Sequence, residues 1–186
     1  MSLSGADTIL IHGLPFRPFL SEAAIRQRVT ELGREVAARY PQGNVTFVVM
    51  LKGAYVFAAD LVRASGLAGE VSFVRTSSYS GTESAGQVQL LLAPEPELIR
   101  DRDVVLIEDI VDSGLTMQAF LPVLREMGAR SILLVTLLHK PEAQRVDVPV
   151  DLIGFSIPTK FVVGYGLDYD GFGRQLPAIY QLDERY

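Results

Sequence analysis

The chain has 186 residues, 48 % hydrophobic and 21 % charged, which suits one globular domain with a sizeable core. Its net charge of −5 argues against a broadly basic nucleic-acid surface, and the absence of cysteine excludes disulfides, cysteine-ligated zinc and cysteine catalysis. No apolar run is long enough to span a bilayer, and the first residues lack the basic start and apolar stretch of a signal peptide, so a cytoplasmic protein with no membrane partner is expected.

The first apolar run, Ile9-Leu10-Ile11, reads as a short strand or a packed arm ending at His12, which is read as structural. Pro15 and Pro18 are expected to bracket a turn. Ser21 then caps a helix whose apolar residues Ile25, Val29, Leu32 and Val36 recur at helical spacing to about residue 40. A buried strand is expected over 46–51, followed by the Lys52-Gly53 turn and a helix over 54–65 that stops at Gly66. Another strand covers 71–75. The stretch 76–87 is rich in Ser, Gly and Thr and lies between strand-like runs, so it reads as a flap within one domain rather than a linker.

The central stretch runs Val104-Val105-Leu106-Ile107-Glu108-Asp109-Ile110-Val111-Asp112-Ser113-Gly114-Leu115-Thr116. Its first four residues are continuously apolar and mostly β-branched, as in a parallel strand covered on both faces. Acids, a small-residue loop and a helix over 116–127 follow, the layout of an anion site at the carboxyl edge of an α/β sheet. The amides of Ser113, Gly114, Leu115 and Thr116, free at a helix start, can converge on a phosphate, with the Ser113 and Thr116 hydroxyls as added donors. Glu108 and Asp109 repel phosphate and suit sugar hydroxyls or a hydrated cation such as Mg²⁺. Phosphate, vicinal hydroxyls and a metal together describe a sugar phosphate; the Walker A pattern is absent.

Pro122 conflicts with a regular helix interior and is expected to bend that helix. A further buried strand spans 131–138 and delivers Lys140 to the same sheet edge as Asp112. From residue 150 onward the pattern changes to short apolar pieces, 151–156, 161–165 and 178–181, which reads as a small lobe over the sheet edge.

The run from Glu108 to Thr116 resembles the phosphoribosyl-pyrophosphate (PRPP) signature of the type I phosphoribosyltransferases. Leu51-Lys52-Gly53, Ser78-Tyr79, Lys140 and the run from Ile157 to Tyr169 resemble its hypoxanthine-guanine branch. The resemblance spans nearly the whole chain. It implies one α/β domain, with a central mostly parallel sheet flanked by helices (core about 20–148), and a small C-terminal hood (about 150–186 plus the N-terminal arm).

The activity implied is purine salvage: transfer of the 5-phosphoribosyl group from PRPP to hypoxanthine or guanine, giving nucleotide and pyrophosphate. A xanthine-preferring enzyme and a non-catalytic PRPP sensor on the same fold are the alternatives. Asp112 is implied as the proton handler at purine N7 and, with residues 113–116, as part of the 5′-phosphate loop. Glu108 and Asp109 would hold ribose and Mg²⁺, and Asp168 would hold a second hydrated Mg²⁺. Lys52, Gly53 and Arg174 would bind pyrophosphate. Lys140 would contact the 6-oxo group, Phe161 would stack on the base and Val162 would touch it. Ser78 and Tyr79 would lie on the flap. A cis Leu51–Lys52 peptide and a homodimer or homotetramer are also implied.

Overall fold

The computed structural model describes residues 8–78 and 88–183. A six-stranded sheet forms the centre. Its strands are β3 (Val45–Leu51), β4 (Gly69–Ser78), β5 (Val88–Leu92), β6 (Asp103–Val111), β7 (Ser131–His139) and β8 (Leu152–Ser156), in the order β5-β4-β3-β6-β7-β8. All neighbours run parallel except β5, which pairs antiparallel with β4. This is the mostly parallel sheet expected from the continuous apolar runs, which only burial on both faces can use.

Helices supply that burial. On one face lie α1 (Glu22–Arg39), capped by Ser21 whose Oγ accepts from the Ala24 amide at 3.2 Å, and α2 (Tyr55–Ser65). Ile25, Leu32, Phe57 and Leu61 from these helices meet Phe47, Val49, Val105, Ile107 and Val135. On the other face α4 (Leu115–Glu126) packs Met117, Phe120 and Leu124 on Val48, Met50, Leu106 and Leu134. Alternate residues of one strand serve opposite cores, as the pleat requires. Pro122 lies inside α4 without ending it. No helix among the described residues is long and apolar enough to cross a membrane.

A second, four-stranded antiparallel sheet sits beside the first. It is ordered β1 (Ile9–Ile11), β2 (Leu14–Leu20), β10 (Ile179–Leu182) and β9 (Val162–Val163). Phe16, Val163, Leu176 and Tyr180 fill its own small core. Three local expectations change here. Pro15 and Pro18 do not form a turn; they lie within β2, paired with Leu10 and Tyr180, beside a register shift between Ile179 and Tyr180 that relaxes the demand for every amide to donate. Residues 152–156, grouped by sequence with the hood, add β8 to the large sheet instead. There the Arg28 guanidinium donates to the Ile153 and Gly154 carbonyls at 2.9 and 3.1 Å. Residues 76–78 extend β4 rather than opening the flap, and Thr76 pairs with Leu90 and Ser77 with Gln89. A short helix, α3 (Pro96–Ile99), precedes β6.

α1 and α2 touch through Gly33, where an added Cβ would fall 2.6 Å from the Ala64 carbonyl carbon and 2.7 Å from its Cβ. Gly33→Ala is therefore expected to lower stability. Overpacking of about 1–3 kcal/mol outweighs a helix-propensity gain of at most about 1 kcal/mol. Urea denaturation measures this, and a variant more stable than the parent would show that the helices separate without cost.

Candidate active site

Three parallel strand ends open on one edge. Val111 of β6 pairs with His139 of β7, so the next residues, Asp112 and Lys140, emerge side by side. The Lys140 amide donates to the Val111 carbonyl at 3.0 Å. The Lys140 ammonium, 8 % exposed as a residue, lies 2.7 Å from Asp112 Oδ2, whose side chain is half exposed. Charge-assisted pairing satisfies a lysine that burial would otherwise penalise.

After Asp112 the chain turns through Ser113 and Gly114 into α4. Gly114 has φ 82° and packs against residues 146 and 148, where a Cβ would sit 3.0 Å from Val146 Cγ2 and 3.1 Å from its carbonyl oxygen. The Ser113 carbonyl accepts from the Arg145 amide at 3.0 Å; the N-cap residue Gly114 has no side chain to cap α4, and the Leu115 amide reaches the Ser113 hydroxyl only at 3.5 Å. Its first amides, at Leu115 and Thr116, therefore face an anion-binding geometry at a helix N-terminus.

Glu108 and Asp109 precede this loop on β6. Glu108 is buried, and its Oε1 accepts from the Asp109 amide at 3.1 Å; Asp109 Oδ1 accepts from the Ile110 amide at 2.9 Å. Burial pushes the Glu108 carboxyl well above the usual carboxylate range, and the adjacent Asp109 charge and side chain push it further. Asp109 is also raised by burial, against the lowering effect of its hydrogen bonds and of the Arg174 charge. Beside them the Leu51–Lys52 peptide at the end of β3 is cis. Gly53 follows, where a Cβ would lie 1.5 Å from Asp109 Oδ2, so no side chain fits.

From the other sheet, Arg174 donates to the Gly166 carbonyl at 2.7 Å and pairs with Asp168 at 2.6 Å, while Asp168 Oδ2 accepts from the Gly171 amide at 2.7 Å. Gly166 rests on the Lys52–Gly53 turn; a Cβ there would fall 2.1 Å from the Gly53 carbonyl oxygen. Phe161 is 45 % exposed, edge-on to Tyr169 at 5.6 Å and beside Phe16 at 6.3 Å. Val162 is buried and paired with Gln181. His12 contacts Tyr169 and Phe172 edge-on, a packing position. Tyr79 and the side chain of Ser78 lie outside the described residues.

The sequence-predicted residues thus fall into two contacting groups: Asp112 with Lys140, and Asp109, Gly53, Arg174 and Asp168 about Gly166. Sequence reasoning missed Tyr169 and Phe16, which prop Phe161, and Tyr165, which reaches α2. The available signal was Gly164-Tyr165-Gly166, an aromatic between two glycines, which marks backbone outside the ordinary regions.

The family model described as Phosphoribosyl transferase domain matches residues 19–170, and the chain belongs to that family. Among its relatives is the hypoxanthine phosphoribosyltransferase of Escherichia coli K12, 41 % identical over 86 % of this chain and 91 % of that one. The hypoxanthine-guanine phosphoribosyltransferase of Mycobacterium avium is 42 % identical over 89 % of this chain and 85 % of its own. A crystal structure of a Staphylococcus aureus hypoxanthine phosphoribosyltransferase superposes with a TM-score of 0.85 at 36 % identity, covering 90 % of this chain and 91 % of that one.

The buried acids carry a pH signature. The Glu108 pKa is raised on folding, so its contribution to stability is complete below its ordinary value of 4.5 and is lost as pH rises through the raised value. In chelator-treated protein, Glu108→Gln should therefore melt above the parent by a margin that widens as pH rises above the ordinary value of 4.5. Thermal unfolding across that range tests it; a margin that does not change with pH would contradict the buried, protonated state.

Proposed function

We propose that this protein transfers the 5-phosphoribosyl group of PRPP to a 6-oxopurine, hypoxanthine or guanine, releasing pyrophosphate. The Lys140–Asp112 pair carries the reading. A 6-oxopurine presents O6 and N7 side by side on one edge. In the N7–H tautomer that edge offers an acceptor beside a donor. Lys140 is donor-only and Asp112 acceptor-only, 2.7 Å apart, so the pair complements it. Adenine would set its 6-amino donors against the ammonium.

In this reading the amides and hydroxyls of residues 113–116 hold the 5′-phosphate. Glu108 and Asp109 accept from the ribose hydroxyls. Lys52, the Gly53 amide and Arg174 take the pyrophosphate, with the guanidinium fork suited to paired oxygens. Phe161 stacks on the base, Val162 offers backbone contacts, and Ser78 and Tyr79 belong to a flap that excludes water. Purine N9 forms the bond to the anomeric carbon as the bond to pyrophosphate breaks. The proton leaves N7 for Asp112, whose charge also steadies the cationic sugar.

A hydrated Mg²⁺ fits the Glu108–Asp109 carboxylates, and a second one fits Asp168. The oxygens are hard, and a cation would relieve the buried Glu108–Asp109 pair. Among the described residues no three acidic or histidine side chains gather to cage a metal alone, which favours an ion shared with substrate phosphates. Bound there, it would neutralise the leaving group.

Supporting a homodimer or homotetramer, Val71 and Phe73 of β4 lie 43 % and 46 % exposed beside Tyr55 of α2, an apolar face larger than solitary exposed residues make. A cytoplasmic location accords with a cysteine-free, acidic chain.

The test is nucleotide formation from PRPP and Mg²⁺ with hypoxanthine, guanine, xanthine and adenine. Hypoxanthine or guanine should exceed adenine in kcat/KM at least about tenfold, since opposed buried donors cost ~1–3 kcal/mol. Comparable use of adenine would overturn the base assignment, and no nucleotide with any base would favour a sensor. Asp112→Asn should cut turnover about 10²–10⁴-fold with PRPP affinity nearly kept; turnover within about threefold of the parent would remove Asp112 from proton transfer. Calorimetry should find PRPP binding weakened after chelation of Mg²⁺, and equal affinity would remove the metal.

A further inference from the structure

The two halves of the proposed pyrophosphate site come from different sheets. Gly53 follows β3 of the large sheet. Gly166, Asp168 and Arg174 belong to the segment between β9 and β10 of the small one. Where they meet, backbone touches backbone: Gly166, with φ 102°, faces the Gly53 carbonyl so closely that a Cβ would sit 2.1 Å from its oxygen. On its other side Gly53 faces the Asp109 carboxylate. Asp109, Gly53 and Gly166 therefore form a stack with no side chain between its layers. Such a contact has a shape but few interdigitating atoms, with the Val56 Cβ alone among side-chain carbons near Gly166.

The grip comes one residue earlier. Tyr165 is 6 % exposed, its ring lies in the α1–α2 core, and its hydroxyl donates to Asp60 Oδ2 at 2.6 Å. Asp60 lies on α2, the helix that the Lys52–Gly53 turn leads into, and pairs also with Arg63 on the exposed side. Tyr165 itself has φ 49°, between Gly164 at 104° and Gly166 at 102°. A bulky residue in that region persists only where its surroundings hold it. The loop's other hydrogen bonds run within itself or to 174–176: the Tyr165 amide to the Leu176 carbonyl at 2.8 Å, the Gly166 amide to the Arg174 carbonyl at 3.0 Å, and Gly164 with Leu167. Those fix the loop's shape. Tyr165 and Leu167 pack the loop onto the α1–α2 core, and the phenol bond adds a directed tie to α2.

We infer that Tyr165 is a positioning residue: its hydrogen bond to Asp60 sets the 164–168 loop against the Lys52–Gly53 turn and so aligns Arg174 and Asp168 with the pyrophosphate half of PRPP. The inference rests on the phosphoribosyl-transfer reading. It separates from a purely structural role because Lys140 and Asp112, at the purine edge, follow β7 and β6 and do not depend on the clamp, while Phe161 and Val162 have their own holds, Phe16 and Tyr169 for the ring and the pairing with Gln181 for the backbone.

Tyr165→Phe keeps the ring and removes only the hydroxyl. Its KM for PRPP should rise roughly fivefold to tenfold, equivalent to about 1–1.4 kcal/mol. KM for hypoxanthine should stay within about twofold. Inhibition by pyrophosphate, measured with Mg²⁺, should weaken by the same factor as PRPP binding. Asp60→Ala should reproduce these values, the double variant should add nothing further, and Asp60→Asn, which retains an acceptor oxygen, should restore most of the affinity. If the parent makes no nucleotide, the reading beneath the inference fails. If the parent is active and Tyr165→Phe leaves KM for PRPP within about twofold, or raises both substrates' KM alike, the clamp is overturned while the reading stands.

Discussion

The parallel ladder between β6 and β7 holds Val111 level with His139, and that register sets what the sheet edge can do. Backbone hydrogen bonds at fixed spacing leave no freedom of one residue, because a slip would turn every apolar side chain of β6 to the wrong core. Residues Val104 to Ile107 and Leu133 to Val135 are buried on both faces, so the register is enforced along the strands' length. The acid and the base emerging from the two strands then meet at 2.7 Å. Next along, β3 runs parallel with Val49 opposite Ile107, and the same logic brings the Lys52–Gly53 turn beside Asp109.

The site opposes stability in several places. Two acids sit adjacent and buried with raised pKa values. α4 begins without a side-chain cap, where serine, threonine, aspartate or asparagine would ordinarily add about 0.5–2 kcal/mol. Phe161 leaves 45 % of its surface to solvent. Each feature is a deficit of the folded chain that an anion, a cation or a flat ring would relieve. The buried apolar clusters beneath supply the rigidity that lets those deficits persist.

The chain's two sheets divide the labour. The large one presents residues on strand ends, whose positions follow from backbone ladders. The small one presents Phe161, Asp168 and Arg174 from short strands and turns, which need props: Tyr169 and Phe16 for the aromatic ring, Asp168 and the Gly166 carbonyl for the guanidinium. A ladder and a set of props differ in how they fail. A ladder gives way cooperatively, whereas a prop can be removed singly, so specific functional defects are most readily made in the smaller sheet.

The strands, the Ser21-capped helix and the small-residue turn from β6 into α4 could be read from the chain, because continuous apolar runs, a capping serine and an acid-rich strand end are local patterns with local causes. The membership of Asp112 and Lys140 in one site also followed once both were assigned to the carboxyl ends of buried strands. The prolines of β2 could not, since whether a missing amide matters depends on a partner strand about 160 residues away. Nor could the place of residues 152–156, a short strand whose apolar content suits either sheet and whose choice was made by an open edge and by Arg28. The sequence by itself determined that Glu108, Asp109, Asp112 and Lys140 stand at the carboxyl edge of a buried parallel sheet, because side-chain type and periodicity are properties of the chain. Only the tertiary structure decided that Gly166 would close on Gly53, that Arg174 would turn to Asp168, and that Tyr165 would reach Asp60, because those contacts join segments whose local patterns say nothing of one another.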